Sequence, residues 1–185
     1  MNKNPYGVDA QSETFLSALL QQEKTLANRV PGVRTVLVVL SSNGMFFDME
    51  SLKQKVLLAY PEAAVFFRTT SGKAVGVATP SRVDLLIDFT GPGSRQGLFY
   101  ARKLRSLARL AVGRNAGLFR KKIYDRTVEE KGVALAQLPK DSLDRERMLQ
   151  RQVLELAGVV MVAMGDLPAD RSQSIALELP AMKRL

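Results

Sequence analysis

A run of apolar, mostly β-branched residues near the start of the chain constrains its fold more than any other feature. Residues 35–40 read TVLVVL, without the polar–apolar alternation that marks a strand exposed on one face. A strand covered on both faces is apolar throughout. The run therefore predicts a central strand of a parallel sheet, with helices on both sides.

Further segments alternate between helical and extended patterns. Apolar residues at helical spacing predict helices at 10–29, 49–60, from the turn at 90–94 to about 106, and 142–157. Apolar runs predict strands at 64–68, 83–89 and 110–113, with short late strands at 159–164 and 175–179. Residues 71–80 read as a small-residue loop or weak element, and 115–131 as irregular and basic. This alternation predicts a three-layer, Rossmann-like α/β fold with a mostly parallel sheet.

The 185 residues suffice for one domain. We expect an N-terminal helix within 1–30, a single Rossmann-like domain at 31–180 and a tail at 181–185. No apolar run follows the first lysine, which argues against a secretory signal. The longest apolar stretch, at 157–164, falls far short of the roughly 20 residues of a membrane-spanning helix. We therefore expect a soluble, cytoplasmic protein, with peripheral contact to the inner membrane left open.

Two absent residue types narrow the chemistry. The chain has no cysteine and no histidine. This excludes disulfides, thiolate and imidazole metal sites, and Ser-His-Asp triads. We expect no metal and no cofactor, so any acid–base step would depend on Asp, Glu, Lys or Tyr.

Positive charge is concentrated in one part of the chain. The whole chain carries a formal charge of +9, and residues 91–126 alone contain ten cations with Asp125 as the single acid, so the remainder sums to zero. A basic surface for an anionic lipid headgroup, a phosphorylated sugar or nucleic acid is predicted, with a solvated helix face and basic loop as the alternative. The residues expected to form this surface are Arg102, Lys103, Arg105, Arg120, Lys121 and Lys122.

Two turns follow predicted strands at the edge where open α/β sheets bind ligands. The candidate ligand-binding residues in these turns are Ser42, Asn43, Gly44, Gly91, Gly93, Ser94 and Arg95. The second turn opens a helix, whose free N–H groups suit a phosphate or carboxylate; a plain tight turn is the alternative. Its glycine spacing is not that of a dinucleotide fingerprint.

Three carboxylates lie near the same strand ends. Asp48 and Glu50 stand where a helix begins, and we expect them to interact with its dipole. Asp88 ends a strand beside the second glycine turn, where it either orients the turn or faces a ligand.

Several motifs occur in a characteristic order. They are YPEA at 60–63, VDLLIDFTG at 83–91, LARLAVGRN at 107–115, KKIYDRTVE at 121–129 and DRERMLQRQVLELAGV at 144–159. With the strand–turn–helix before them, their order and spacing resemble family 9 glycosyltransferases, the heptosyltransferases of lipopolysaccharide inner-core synthesis. The resemblance spans about 34–158.

The resemblance implies one half of a GT-B glycosyltransferase, the N-terminal domain that holds the acceptor. The family's catalytic base is an Asp in the first turn, and the resemblance places Met45 at that position. A thioether does not accept a proton at neutral pH. Asp48, one helical turn later, is the remaining candidate base. The donor domain lies beyond the resemblance.

The sequence thus favours a non-catalytic, single-domain relative whose basic surface binds an anionic glycolipid or membrane headgroup. Three alternatives stay open. In the first, the chain is the acceptor half of a split transferase. In the second, it is a nucleic-acid-binding module that uses residues 91–126. In the third, it is an interaction protein that binds another protein or forms a homodimer.

Overall fold

The computed structural model describes residues 10–41, 45, 47–69, 74–75, 80–90, 101–115, 123–129 and 142–161. Its helices are α1 (Ala10–Ala27), α2 (Met49–Ala59) and α3 (Ser142–Leu156). Its strands are β1 (Thr35–Val39), β2 (Ala64–Arg68), β3 (Ala74–Val75), β4 (Val83–Asp88), β5 (Ala108–Asn115) and β6 (Arg126–Glu129). Residues 101–105 are also helical.

The strands form one sheet in the order β3-β2-β1-β4-β5-β6. β2, β1, β4, β5 and β6 are parallel, whereas the two-residue β3 pairs antiparallel with β2 at the edge. Numbered without β3, the parallel strands follow the order 2-1-3-4-5, one of the common doubly wound orders. The predicted open, Rossmann-like α/β fold is confirmed.

β1 occupies the interior of this sheet, as the run TVLVVL predicts. Val38 pairs with Phe67 of β2 on one side and with Ile87 of β4 on the other. Every residue of β1 except Thr35 is buried. Since both faces are covered, a polar side chain at any of these buried positions would lose water without gaining a partner.

Two apolar cores cover the two faces of the sheet. The α2–α3 core joins Val38 to Leu52 of α2 and Val153 of α3. The Leu104 core joins Val39 to Leu104 in the helical stretch 101–105. Successive residues of β1 point into different cores, which gives the molecule its three layers.

The main corrections to the sequence predictions concern the second half of the chain. The strand predicted at 110–113 is the middle of the longer β5. Residues 126–129, predicted to be irregular, form β6, so that prediction was wrong. Residues 159–161 form no strand but pack Val159 and Met161 into the α2–α3 core. The rest of the predicted late strands lies outside the described residues.

At the amino edge of the sheet, one carboxylate ties β4 to the start of β1. Oδ2 of Asp84 accepts hydrogen bonds from Arg34 N at 2.9 Å, Thr35 N at 3.0 Å and Thr35 Oγ1 at 3.0 Å. The bond from the Arg34 amide is the main reason why the pKa of Asp84 is lowered. The carboxylate is therefore charged at neutral pH and fixes the entry of β1 into the sheet.

The C-terminal ends of α1, α2 and α3 lie close together at the amino edge of the sheet. Tyr60, the C-terminal cap of α2, donates its hydroxyl to Ala157 O at 2.6 Å and accepts from Val30 N at 3.3 Å. Arg126 donates to Asn28 O just after α1. The segment between α1 and β1 is thus held by side chains from α2 and β6.

The Tyr60 hydroxyl gives a pH-dependent test of this arrangement. Burial raises the pKa of Tyr60 above the ordinary tyrosine value of 10.0. The neutral hydroxyl therefore stabilises the fold fully below about pH 10, and this stabilisation is lost as the pH rises through the raised pKa. Tyr60→Phe should lower the free energy of unfolding in urea by about 1–2 kcal/mol at pH 7. The difference from the wild type should shrink above pH 10. A difference that stays constant to pH 11 would contradict this account.

Candidate functional site at the carboxyl edge

β1 and β4 are neighbours in the sheet, but the chain leaves them in opposite directions. From β1 it passes through α2 to β2, and from β4 it passes to β5 on the other side. In open α/β sheets, such a divergence marks the crevice at the carboxyl ends of the two strands where ligands bind. Ser41 after β1 and Thr90 after β4 stand at this edge, and both are buried.

Asp88 orders the β4 side of the crevice. Its side chain is 1% exposed, Oδ1 accepts from Thr90 N at 2.8 Å, and Oδ2 accepts from the hydroxyl of Tyr124 at 2.6 Å. Of the two roles that the sequence left open, the structure supports the first, the orientation of the turn. Tyr124, the partner from the segment before β6, is a residue that sequence reasoning missed.

Gly113 of β5 gives the Tyr124 ring its place. A Cβ added at Gly113 would lie 2.5 Å from Cε1 of Tyr124, far inside van der Waals contact. The bare backbone therefore lets the ring lie flat on β5 and extend its hydroxyl to Asp88. A glycine within a predicted strand, with a tyrosine eleven residues later, is the only sequence signal for this contact.

Arg68 contributes an unusual donor to the same edge. It ends β2, and Val39 of β1 pairs with Arg68 on one side and with Asp88 on the other. Because strands lie about 4.8 Å apart, Arg68 and Asp88 stand roughly 10 Å apart across the end of β1, on the face that the Leu104 core covers. Nε of Arg68 is buried and has no hydrogen-bond partner in the described part of the chain.

Met45 stands where the resemblance places the catalytic base of the family. Its sulfur accepts a hydrogen bond from Ser41 N at 3.4 Å, and its half-buried side chain packs against the α2–α3 core. This side chain therefore contacts the backbone and the core, and it offers no proton acceptor for a sugar hydroxyl.

Asp48 serves the helix that it precedes. It is the N-terminal cap of α2, and Oδ1 accepts from Ser51 N at 2.8 Å. Such a cap satisfies one of the free N–H groups of the first turn. The expected interaction of Asp48 with the start of the helix is confirmed, and the carboxylate offered as a substitute base has this structural role.

The described basic residues of 91–126 differ in their surroundings. Arg102 and Lys103 are exposed. Arg105 instead forms an ion pair with Asp125 at 2.7 Å, and the nearly buried Arg114 pairs with Glu146 of α3 at 2.6 Å. Two of these cations thus hold the fold together, which the charge count could not reveal.

The exposed pair also lies away from the crevice. Val83 N, at the start of β4, donates to Leu107 O at 2.9 Å, so the helical stretch 101–105 ends at the amino edge of the sheet. Thr90, directly before the glycine turn, lies at the opposite edge. The other predicted ligand-binding and basic residues lie outside the described residues: Ser42, Asn43, Gly44, Gly91, Gly93, Ser94, Arg95, Arg120, Lys121 and Lys122.

Within the ranges that the structure describes, no group of acidic residues could hold a metal ion. In the same ranges, no helix has the length and apolarity to cross a bilayer. Comparison of the chain with models of known families, with curated proteins and with solved structures gave no match. A function can therefore be inferred only from the residues at the carboxyl edge, Met45, Arg68 and Asp88, and from the motifs in the sequence.

The bond between Tyr124 and Asp88 can be tested by substitution. Tyr124→Phe keeps the ring on Gly113 but removes a donor from a buried carboxylate, which should lower the free energy of unfolding by about 1–3 kcal/mol. Combined with Asp88→Ala, the loss should be clearly less than the sum of the single losses, because both changes remove the same bond. Additive losses in urea unfolding would show that the two side chains act independently.

Proposed function

We propose that this chain is a non-catalytic, heptosyltransferase-like protein that binds an anionic ligand, a glycolipid or membrane headgroup, at the cytoplasmic side of the inner membrane. Met45 supports the absence of catalysis because it stands at the position of the family's base. Its sulfur accepts a hydrogen bond from the Ser41 amide. The family assignment itself depends on the motifs in the sequence.

The proposal of an anionic ligand depends on the buried Nε of Arg68. A buried N–H group without a hydrogen-bond partner lowers the stability of the fold. Such a group in a native structure indicates a ligand or water that accepts its hydrogen bond. Arg68 stands at the carboxyl edge, beside the crevice between β1 and β4. A guanidinium binds phosphate and carboxylate through two parallel hydrogen bonds, so a phosphorylated sugar of the lipopolysaccharide core fits this position.

Arg102 and Lys103 add a second, more exposed attraction for anions. Both side chains are exposed, and no ion pair links them to another residue in the described ranges. With a net charge of +9 on the chain, the long-range field draws anionic surfaces toward the protein.

Arg68→Met separates ligand binding from folding. The substitution removes a donor that has no hydrogen-bond partner among the described residues. The free energy of unfolding in urea should therefore stay nearly unchanged or increase. Binding of phosphorylated inner-core oligosaccharide, measured by calorimetry, should weaken roughly tenfold to a hundredfold, since a charge-assisted hydrogen bond contributes about 1.5–3 kcal/mol. Undiminished binding would exclude Arg68 from the site.

Removal of the exposed charges tests the headgroup part of the proposal. Arg102→Gln with Lys103→Gln should weaken binding to vesicles that contain anionic lipid by roughly 30-fold, at about 1 kcal/mol for each cation. The matched control is Lys53→Gln with Arg147→Gln, which removes two exposed cations from α2 and α3. Binding should also fall as salt screens the charges.

Two results would refute the proposed function. One is failure to bind both core oligosaccharide and anionic vesicles at low ionic strength. The other is turnover of a nucleotide-sugar by the chain, alone or with a co-purified partner, because turnover requires a base that the proposal denies.

A further inference from the structure

α1 attaches to the rest of the protein through its polar face. Nε2 of Gln21 donates to Oε2 of Glu155 at 2.6 Å, and Nδ2 of Asn28 donates to Glu155 O at 3.1 Å. Thr25, between them, is 2% exposed. Gln21 and Thr25, one turn apart, lie on one side of the helix, and Asn28 follows directly after its last residue.

The apolar side chains of α1 lie on the opposite side and are exposed. At 100° per residue, they centre about half a turn from Gln21, Thr25 and Asn28. Their exposed fractions run from 38% to 65%. They are Phe15, Leu16, Leu19, Leu20 and Leu26. Residues 15–27 are exposed except for Thr25, so the contacts of α1 leave its apolar side chains uncovered, whereas a surface helix normally buries its apolar face.

Four exposed arginines lie at the amino edge of the sheet, where Asp84 is also charged, near the connection from α1 to β1. Arg29 follows the helix, Arg34 and Arg82 directly precede β1 and β4, and Arg109 is the second residue of β5. Arg109 also donates to Pro31 O at 2.8 Å, which ties the connection after α1 to this edge. These four residues are called the amino-edge arginines.

We propose that the apolar face of α1 and the amino-edge arginines form one surface that docks on an anionic lipid membrane. The helix lies in the plane of the interface, and the arginines contact headgroup phosphates. This inference rests on the membrane-headgroup part of the proposed function and names the surface that meets the bilayer, which lies at the edge of the sheet opposite to Arg68.

An anionic bilayer matches both parts of this surface. Leucines and a phenylalanine require an apolar environment, while arginines bind phosphates through paired hydrogen bonds. Nucleic acid offers phosphates without an apolar interior. A second copy would cover the leucines but would bring another chain of charge +9 against the arginines. A bilayer supplies the apolar layer and the phosphates within a few ångströms of each other.

The α1 face is tested with Leu16→Gln and Leu20→Gln together. Glutamine and leucine have similar helix propensities, so circular dichroism should show an intact helix. Sedimentation with phosphatidylglycerol–phosphatidylethanolamine vesicles should show binding weakened on the order of tenfold or more. The matched control is Leu58→Gln with Leu143→Gln, which makes the same change at exposed leucines of α2 and α3 and should bind like the wild type.

The amino-edge arginines are tested with Arg34→Gln and Arg82→Gln. Each change should weaken vesicle binding about fivefold, and the loss should diminish as salt rises. The double change Lys53→Gln with Arg147→Gln again serves as the control. Vesicles of phosphatidylcholine alone should bind neither the wild type nor any variant tightly.

The outcomes separate this inference from the proposed function. If the wild type binds vesicles and the α1 variant binds equally well, the membrane surface is refuted while an anionic ligand stands. The same holds if core oligosaccharide binds and vesicles do not. If neither binds, both proposals fall. A dimer that the α1 substitutions dissociate, without vesicle binding, would show that a second copy covers α1 and would overturn the membrane.

Discussion

The burial of β1 on both faces between β2 and β4 is the constraint on which the remaining structure depends. Val36 to Val39 are almost wholly inaccessible to water, and each successive residue faces the other core. This arrangement requires helices on both sides of the sheet and parallel neighbours joined by crossovers. The candidate site at the carboxyl edge follows from it, because the chain leaves β1 and β4 in opposite directions there.

Polar side chains at the two edges of the sheet have different roles. At the amino edge, Asp84, Tyr60 and Arg126 bind backbone atoms of neighbouring segments, so they fix where strands and helices begin and end. At the carboxyl edge, Asp88 fixes one turn, but Nε of Arg68 has no hydrogen-bond partner among the residues that the structure describes. A fold that satisfies its polar groups at one edge and leaves a buried donor at the other has the asymmetry expected of a binding site.

Much of the fold could be predicted from local pattern, whereas the site depended on contacts between distant residues. The run at 35–40 indicated a buried parallel strand, and β2 was predicted at its observed bounds. β6 was missed because RTVE has charged ends and one buried apolar residue, so its pairing with β5 decides its conformation. Likewise, the charge count of 91–126 could not show that Arg105 and Arg114 are ion-paired. The contact of Tyr124 with Asp88 joins residues 36 positions apart and depends on a glycine in a third segment.

The few polar contacts that hold α1 have a consequence for the dynamics of the protein. Among the described residues of α1, no side chain belongs to either core, so separation of the helix from α3 would leave the sheet and both described cores intact. Local opening of such an element requires much less free energy than global unfolding. We therefore expect backbone amides of α1 to exchange with deuterium through a separate, faster opening than those of β1, so that the helix could separate while the sheet stays folded.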